Sequence, residues 1–249
     1  MSDLRKASFV CIDCETTGLD PKKDQIVELA LLQFTLEENL ESMESLIQPE
    51  CPIPESSIAI HHITEEMVAG KPKIGACLPE FLRLIGNRII VGHGVGFDIE
   101  VLSQAAAKAQ IPCTIQNNLR VDTLRLARLY GESPVNSLES LRKHFNIPEE
   151  GAHRAMNDVI VNTAVFRQLS KRYPTTEKLF ATLDKPVLMM HVPLGKHKGR
   201  SFQEVPLPYL HWMSRQEFDM DLLFSIRMEL KRRKKGGIFQ QAGNPFLNL

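Results

Sequence analysis

The chain begins with short apolar runs and continues with segments whose apolar residues recur at helical spacing. Three apolar runs come first, at residues 7–14, 25–35 and 44–48. Their short connections predict an antiparallel start to a sheet. The first run is interrupted by Glu15-Thr16-Thr17-Gly18, so we predict a buried strand that ends in a loop.

Helical spacing dominates after this start, interrupted by two short strands predicted at 88–91 and 119–122. Helices are predicted over 74–85, 97–109, 123–130, 137–145 and 153–172. In the last of these segments the apolar positions recur every three or four residues, which buries one helix face against a sheet. The predicted fold is therefore α/β, with a mixed sheet flanked by helices.

The charge distribution divides the chain into two parts. Residues 185–249 contain 11 Lys or Arg and 5 Asp or Glu, whereas residues 1–184 contain 19 and 25, so net charges of +6 and −6 cancel. Pro186 discourages helix at this boundary. We predict a domain at 1–184 and a small basic α+β module at 185–249, with a strand at 187–192 and helices near 209–215 and 222–235. An acidic body with a basic module fits a polyanionic substrate.

Composition restricts the class of protein. With 249 residues, of which 43% are hydrophobic, the chain can bury a sizeable core. No apolar run of about 20 residues and no secretory signal is visible, which predicts a cytoplasmic protein without a membrane partner. The five cysteines include a Cys11-x-x-Cys14 pair, but no second pair follows at zinc-site spacing. We interpret them as buried apolar side chains.

Acidic residues follow two of the predicted strands. Asp13 and Glu15 lie two residues apart on a strand, so both carboxylates point the same way. They stand at the carboxyl end of that strand, where ligands gather in α/β sheets, and two like charges this close call for a cation. Exposed acids in a turn are the alternative. Asp98 follows the strand 88–91 and opens a helix, where an acid also complements the helix dipole.

The last long helix carries His153 and Asp158. Five residues of α-helix place two side chains about 140° apart, so they cannot share one narrow stripe. We therefore predict that His153 lies at the helix entrance, where Gly151 lets its ring turn toward the acids.

Three motifs resemble those of the DnaQ-like DEDD exonuclease superfamily, in its histidine-containing subgroup. They are D-x-E-T-T-G at 13–18, F-D at 97–98 after Gly92-His93, and H-x-x-x-x-D at 153–158. The segments 59–68 and 195–200 resemble exodeoxyribonuclease X-like proteins, so the resemblance covers most of the chain. Gly94 stands where the family often has Asn, which questions a loop contact but no metal ligand.

The resemblance implies a ribonuclease H-like fold and a 3′→5′ exonuclease that releases nucleoside 5′-monophosphates from DNA in repair or proofreading. It also implies two divalent cations, Mg²⁺ or Mn²⁺, and carboxylate oxygens are the ligands such cations prefer. His153 would be the general base for the attacking water, and Thr16, Thr17 and Gly18 would seat the terminal nucleotide. The implied metal ligands are Asp13, Glu15, Asp98 and Asp158.

Other polar residues have two interpretations each. His61 contacts substrate, or it packs and caps a helix near Thr64. His93 is a loop histidine bonded to backbone, and Asp122 is a fifth ligand or a helix N-cap.

The basic module has a similar choice. Lys196, Lys198 and Arg200, with Gly195 and Gly199 between them, offer side chains and backbone N–H groups to phosphate, or form a solvated loop. The cations of 227–235 have the same alternatives.

Two other functions remain open from the sequence. The same metal site would attack RNA, because only contacts to a 2′-OH discriminate the two sugars. A non-catalytic subunit that binds DNA and recruits polymerase or repair proteins is the alternative from another class. The presence of all five expected catalytic residues argues against it.

Overall fold

The computed structural model describes residues 3–132, 136–148 and 154–242, with side chains to residue 235. His153 lies outside the described residues. Contacts within the chain define two compact units, Met1–Leu183 and Asp184–Leu249. None of the helices in these ranges is long and apolar enough to cross a membrane.

The first unit contains a five-stranded mixed sheet in the order β3-β2-β1-β4-β5. Strands β1, β2 and β3 are antiparallel, and β4 and β5 are parallel to β1. This confirms the predicted antiparallel start and the α/β class. The strands are β1 (Phe9–Thr16), β2 (Ile26–Phe34), β3 (Asn39–Leu46), β4 (Ile89–Gly92) and β5 (Arg120–Asp122).

Helices cover both faces of the sheet, and all five of the predicted helices are confirmed to within two residues at each end. Two short helices, α1 and α8, were not predicted. The helices are α1 (Glu55–His61), α2 (Glu65–Val68), α3 (Ile74–Ile85), α4 (Gly96–Lys108), α5 (Thr123–Tyr130), α6 (Leu138–His144), α7 (Ala155–Ser170) and α8 (Thr176–Leu183).

Alternate residues of β1 enter two different cores. The rings of Phe9, Phe34 and Phe166 pack together with centroid distances of 5.0–5.8 Å, which holds α7 on one face. Val10 and Ile12 pack on the other face with residues of α3 and α4. The carboxyl end of β1 is therefore reached from both sides, by α7 and by α4.

The second unit is built around α9 (Leu207–Met213) and α10 (Met220–Ala242), which confirms both predicted helices. The predicted strand 187–192 is wrong: within the described residues this segment has only an isolated bridge between His191 and Ser201. Its backbone N–H groups are used differently. Val187 donates to the Asp221 carboxylate (2.9 Å) and Met189 to the Ser225 hydroxyl (2.8 Å), so the segment lies along α10 as extended chain.

Candidate active site

Three carboxylates meet at the carboxyl end of β1. Asp13, Glu15 and Asp158 each place one oxygen within 4.8 Å of the others. Asp13 and Glu15 share a face of β1 and Asp158 comes from the first turn of α7. The register of β1 on β2 shifts between Glu15 and Thr16, which pairs with Ile26, so β2 has one extra residue, Val27, directly beside the two acids.

The cluster holds its protons tightly in the absence of a cation. Burial, followed by the charges of Asp98, Glu15 and Asp158, raises the pKa of Asp13 well above its usual range. Burial, followed by the charges of Asp158 and Glu28, raises the pKa of Glu15 to about 8. A divalent cation would remove this repulsion, and three oxygen ligands suit a hard ion such as Mg²⁺ or Mn²⁺.

Asp98 lies beside this cluster but outside the set of three. Its buried carboxylate accepts a 3.0 Å hydrogen bond from the backbone N–H of Cys14, the residue between the two strand acids. Burial raises the pKa of Asp98 to about 7, and the bond from Cys14 opposes this rise. The structure therefore brings three of the four predicted ligands together and holds the fourth on the backbone of β1.

An ion pair between a buried acid and a partly exposed arginine, which the sequence reasoning missed, supports the cluster. Glu28 on β2 lies directly opposite Glu15 and is only 2% exposed. Arg154 Nε donates to both oxygens of Glu28 at 3.0 and 3.1 Å, and the N–H of Ala155 donates at 2.9 Å. The signal was a single acid inside the mainly apolar run 26–34.

This ion pair separates the roles of the two opposed acids. Like charges directly opposite on a strand pair repel, and Arg154 compensates the charge of Glu28 while Glu15 keeps its oxygens for a cation. Glu28 also bonds the first N–H of α7, which fixes the helix start against β2. Asp158 lies one turn further along the same helix and is placed by this contact.

The turn after β1 is held by its own side chains. The hydroxyl of Thr16 donates to the carbonyl of Gly18 (2.6 Å), and the hydroxyl of Thr17 accepts from the N–H of Gln25 (3.0 Å) and bonds Asp24 (3.2 Å). A Cβ on Gly18 would meet the Asp24 carboxylate at 2.5–2.7 Å. Both threonines are buried, so the turn is a fixed backbone support.

His61 lies under this turn. Its ring is 2% exposed, and its Nδ1 accepts a hydrogen bond from the N–H of Ile63 at 3.0 Å. Burial lowers the pKa of His61, while the nearby carbonyl of Thr16 opposes that change. Its Nε2 is buried and has no hydrogen-bond partner among the described residues, and contact with substrate stays a prediction.

Asp122 and His93 have structural partners. Asp122 accepts from the N–H of Leu124, as the N-cap of α5, and from the N–H of Gly94, both at 2.9 Å. The N-cap interpretation is confirmed. Gly94 has φ +79°, a conformation that glycine and asparagine adopt most readily, which explains why either residue fits here. His93 bonds the hydroxyl of Thr123 (3.0 Å). Burial lowers the pKa of His93, and a hydrogen bond with the backbone of Asn136 opposes this change, so the expected backbone contact is present beside the side-chain contact.

The loop 195–200 exposes its three cationic side chains but not its backbone donors. Lys196, Lys198 and Arg200 are exposed. The expectation of free N–H groups is wrong for 198–200, because these donate to carbonyls of Gly195, Val192 and His197. Any phosphate contact here belongs to the side chains.

Two cations of α10 also have structural roles. Arg232 and Arg233 both bind Glu229, and Arg233 Nη2 further donates to the carbonyls of Phe202, Gln203 and Val205 at 2.9–3.0 Å. These contacts tie α10 to the segment 202–205. Lys231, Lys234 and Lys235 are exposed.

Comparison with known families gives two matches along the chain. The model of the RNase_T family, described as exonuclease, matches residues 10–166. A second model, described as "Putative quorum-sensing-regulated virulence factor", matches residues 182–228. The two matches fall in the two compact units.

Relatives include replicative polymerase subunits. The epsilon subunit of DNA polymerase III from Aquifex aeolicus is 32% identical over 165 residues, covering 66% of this chain and 81% of that protein. The PolC-type DNA polymerase III of Clostridium perfringens is 28% identical over 194 residues, which are 74% of this chain but 13% of the polymerase. The chain thus corresponds to a small part of the PolC polymerases.

Solved structures share the fold of the first unit. Exonuclease X in complex with 5′-overhanging duplex DNA has 27% identity and a TM-score of 0.57, covering 71% of this chain and 99% of that one. E. coli Exonuclease I in complex with a dA16 oligonucleotide has 23% identity and a TM-score of 0.63, covering 72% and 43%. The ribonuclease H-like fold is thereby confirmed.

The exonuclease match contains the strand that bears Asp13 and Glu15, the helix that bears Asp98 and most of α7 with Asp158. It spans more than half of the chain, and the family generally uses divalent metal ions. This chain therefore belongs to the RNase_T exonuclease family, in its DnaQ-like 3′→5′ group.

Proposed function

We propose that the protein is a 3′→5′ exodeoxyribonuclease that uses two divalent cations, Mg²⁺ or Mn²⁺, and releases nucleoside 5′-monophosphates during DNA repair or proofreading. The observation that carries this proposal is the cluster of Asp13, Glu15 and Asp158 with Asp98 beside it. The names of the relatives support DNA as substrate. Polymerase or repair proteins as partners, and a cytoplasmic location, belong to the same proposal.

The side chains would divide the work as follows. Asp13, Glu15, Asp98 and Asp158 hold the cations, which when bound stabilise the attacking and leaving oxygens of the displacement. His153 takes the proton of the attacking water. The turn at Thr16, Thr17 and Gly18 seats the terminal nucleotide, and His61 contacts the substrate. Lys196, Lys198 and Arg200 contact backbone phosphates.

The test is nucleotide release from 5′-labelled single-stranded DNA, duplex DNA and RNA, with Mg²⁺, with Mn²⁺ and with a chelator. We expect stepwise shortening of DNA from the 3′ end that requires the metal and is lost in Asp13→Ala. Glu37→Ala, which removes an exposed carboxylate outside the site, is the matched control. If only RNA is shortened, RNA replaces DNA as the proposed substrate. If neither DNA nor RNA releases nucleotides with either metal, the non-catalytic subunit becomes the better interpretation.

A further inference from the structure

The second unit carries a row of three aromatic rings that ends at the surface. His197 is buried at 8% exposure and makes an edge contact with Tyr209 at 4.6 Å between ring centroids. Tyr209 in turn contacts Trp212 at 5.1 Å with the planes inclined by 40°. Trp212 is 51% exposed, although indole surface is costly to leave in water. Contacts along this row therefore hold the ring of Trp212 in place, while about half of it stays exposed to solvent.

The basic loop and this ring row form one structural element. A Cβ on Gly195 would lie 2.9 Å from the Tyr209 hydroxyl oxygen, and Gly195 has φ +75°. Both facts require glycine for this close approach. His197 enters the row from the middle of the loop, with the exposed Lys196 and Lys198 on either side of it in the chain.

From this arrangement we propose that the second unit binds single-stranded DNA, with a nucleobase stacked on Trp212 and backbone phosphates bound by Lys196, Lys198 and Arg200. This inference rests on the proposed function for the identity of the polymer. It adds a base-stacking residue and a binding site outside the catalytic unit.

The chemistry of the surface favours a nucleic acid strand. Lys196, Lys198 and Arg200 form no ion pair with any described residue of their own unit, so their charges are available to phosphate. A positively charged track beside an aromatic ring is the general construction of sites for single strands, because every base has a π-face. Duplex DNA keeps its bases stacked on each other, so we expect it to bind this surface more weakly.

The only tryptophan of the chain is Trp212, and its fluorescence therefore reports on this site alone. The experiment uses the full-length Asp13→Ala chain in a chelator, titrated with an oligothymidylate and with an abasic strand of equal length. We expect the base-containing strand to quench the emission and the abasic strand to leave it nearly unchanged. An equal response to both strands, or a response to neither, would overturn the stacking.

Variants measure the strength of the contact. Trp212→Ala should weaken single-strand binding by about fivefold to a hundredfold, the range for loss of one stacked base, and Trp212→Phe should recover most of it. Met228→Ala, which truncates an exposed apolar side chain of α10 in the same unit, is the matched control. Affinity unchanged in Trp212→Ala would exclude a base contact there and leave the ring as a surface for a protein.

The two proposals fail in different ways. Base-dependent quenching in a chain whose wild type releases no nucleotide with Mg²⁺ or Mn²⁺ would retain this binding site and reject the exonuclease. Nucleotide release by the wild type without base-dependent quenching would retain the exonuclease and reject the site.

Discussion

Asp13 has the most strongly acidic surroundings in the described catalytic cluster. Asp98, Glu15 and Asp158 all add to the burial that raises its pKa. Repulsion between these acids destabilises the metal-free site. A bound cation removes this destabilisation because it attracts each carboxylate and offsets the repulsion among them. Loss of any one of the four acids should therefore weaken metal binding by the other three.

Single alanine substitutions of the four acids should each abolish most nucleotide release while the chain stays folded. Asp13→Ala should have the largest effect, because Asp13 neighbours the other three. Calorimetric titration with Mn²⁺ should show weaker metal binding in each variant. Turnover like that of the wild type in Asp13→Ala at saturating Mn²⁺ would reject the assignment of this residue.

His153→Ala should lower turnover by about 10²- to 10⁴-fold, the usual contribution of a general base. DNA affinity should change little, because the proton is transferred after the strand is bound. Single-turnover rates and strand affinity, measured on the same preparation, separate these two effects. Normal turnover with weakened binding would show that His153 positions the substrate.

Glu15 makes the stability of the metal-free chain depend on pH. Its pKa is about 8 in the folded chain against an ordinary value of 4.5, so the folded state retains this proton more tightly than the unfolded chain. The stabilisation of the folded state by this protonated carboxyl group is complete below pH 4.5 and is lost as the pH rises through about 8.

The midpoint of thermal unfolding without metal should therefore fall across this pH window. Glu15→Gln should flatten the curve, and saturating Mg²⁺ should do the same in the wild type, because the bound ion displaces the proton. The same slope in Glu15→Gln and in the metal-free wild type would contradict a raised pKa at Glu15.

Strand spacing indicated the pair Asp13 and Glu15, and the motif resemblance added Asp98 and Asp158. Spacing could not identify Glu28, whose importance comes from Arg154, 126 positions later in the chain. Neither could it identify Trp212, because exposure of a ring depends on how α9 packs. Sequence patterns report periodicity and motif spacing, whereas these roles depend on tertiary contacts.

Helix α7 connects the core to the active site. Phe166 fixes its middle against Phe9 and Phe34, and Glu28 fixes its start through Arg154 and Ala155. A small shift of the helix would move Asp158 away from Glu15. We therefore expect the ion pair to position Asp158, a proposed metal ligand.

Arg154→Lys should test this role, because lysine keeps the charge but loses the fork that contacts both oxygens. We expect an activity loss of about 10- to 100-fold, typical for a partner behind a metal ligand, and a higher Mn²⁺ concentration for half-maximal rate. Arg83→Lys, in the exposed two-pronged pair with Glu80 on α3, is the matched control. An unchanged metal requirement with lower thermal stability would show that the pair serves folding only.

Periodicity predicted most helices well and the irregular segment 187–192 poorly. Helix α3 was predicted at its observed bounds because its apolar residues are numerous enough to define a helical stripe. The extended segment 187–192 resembled a strand by its β-branched and apolar residues. Its hydrogen-bond partners are side chains of α10, which no local pattern reveals.

The two units divide opposite charges between them, since residues 1–184 have net charge −6 and residues 185–249 have +6. An acidic surface repels DNA beyond its cation site, so a separate basic unit would increase the local concentration of the strand. The buried contacts of Arg233 reduce the cations of this unit that are free for phosphate, whereas the loop 195–200 keeps three.

Removing residues 185–249 should therefore raise the apparent KM on long substrates and spare cleavage of very short ones, because only a long strand reaches both a catalytic site and a basic unit. For every phosphate that the protein no longer binds, the slope of log affinity against log salt concentration should become shallower by about 0.7 for single strands.

A full-length chain with Lys196, Lys198 and Arg200 changed to alanine is the matched comparison. It should reproduce most of the change in slope without removing the fold of the unit. If the truncated, substituted and wild-type proteins are all folded and share one affinity and one salt slope on a long strand, the unit does not bind DNA, and its exposed rings and cations instead serve contact with a protein.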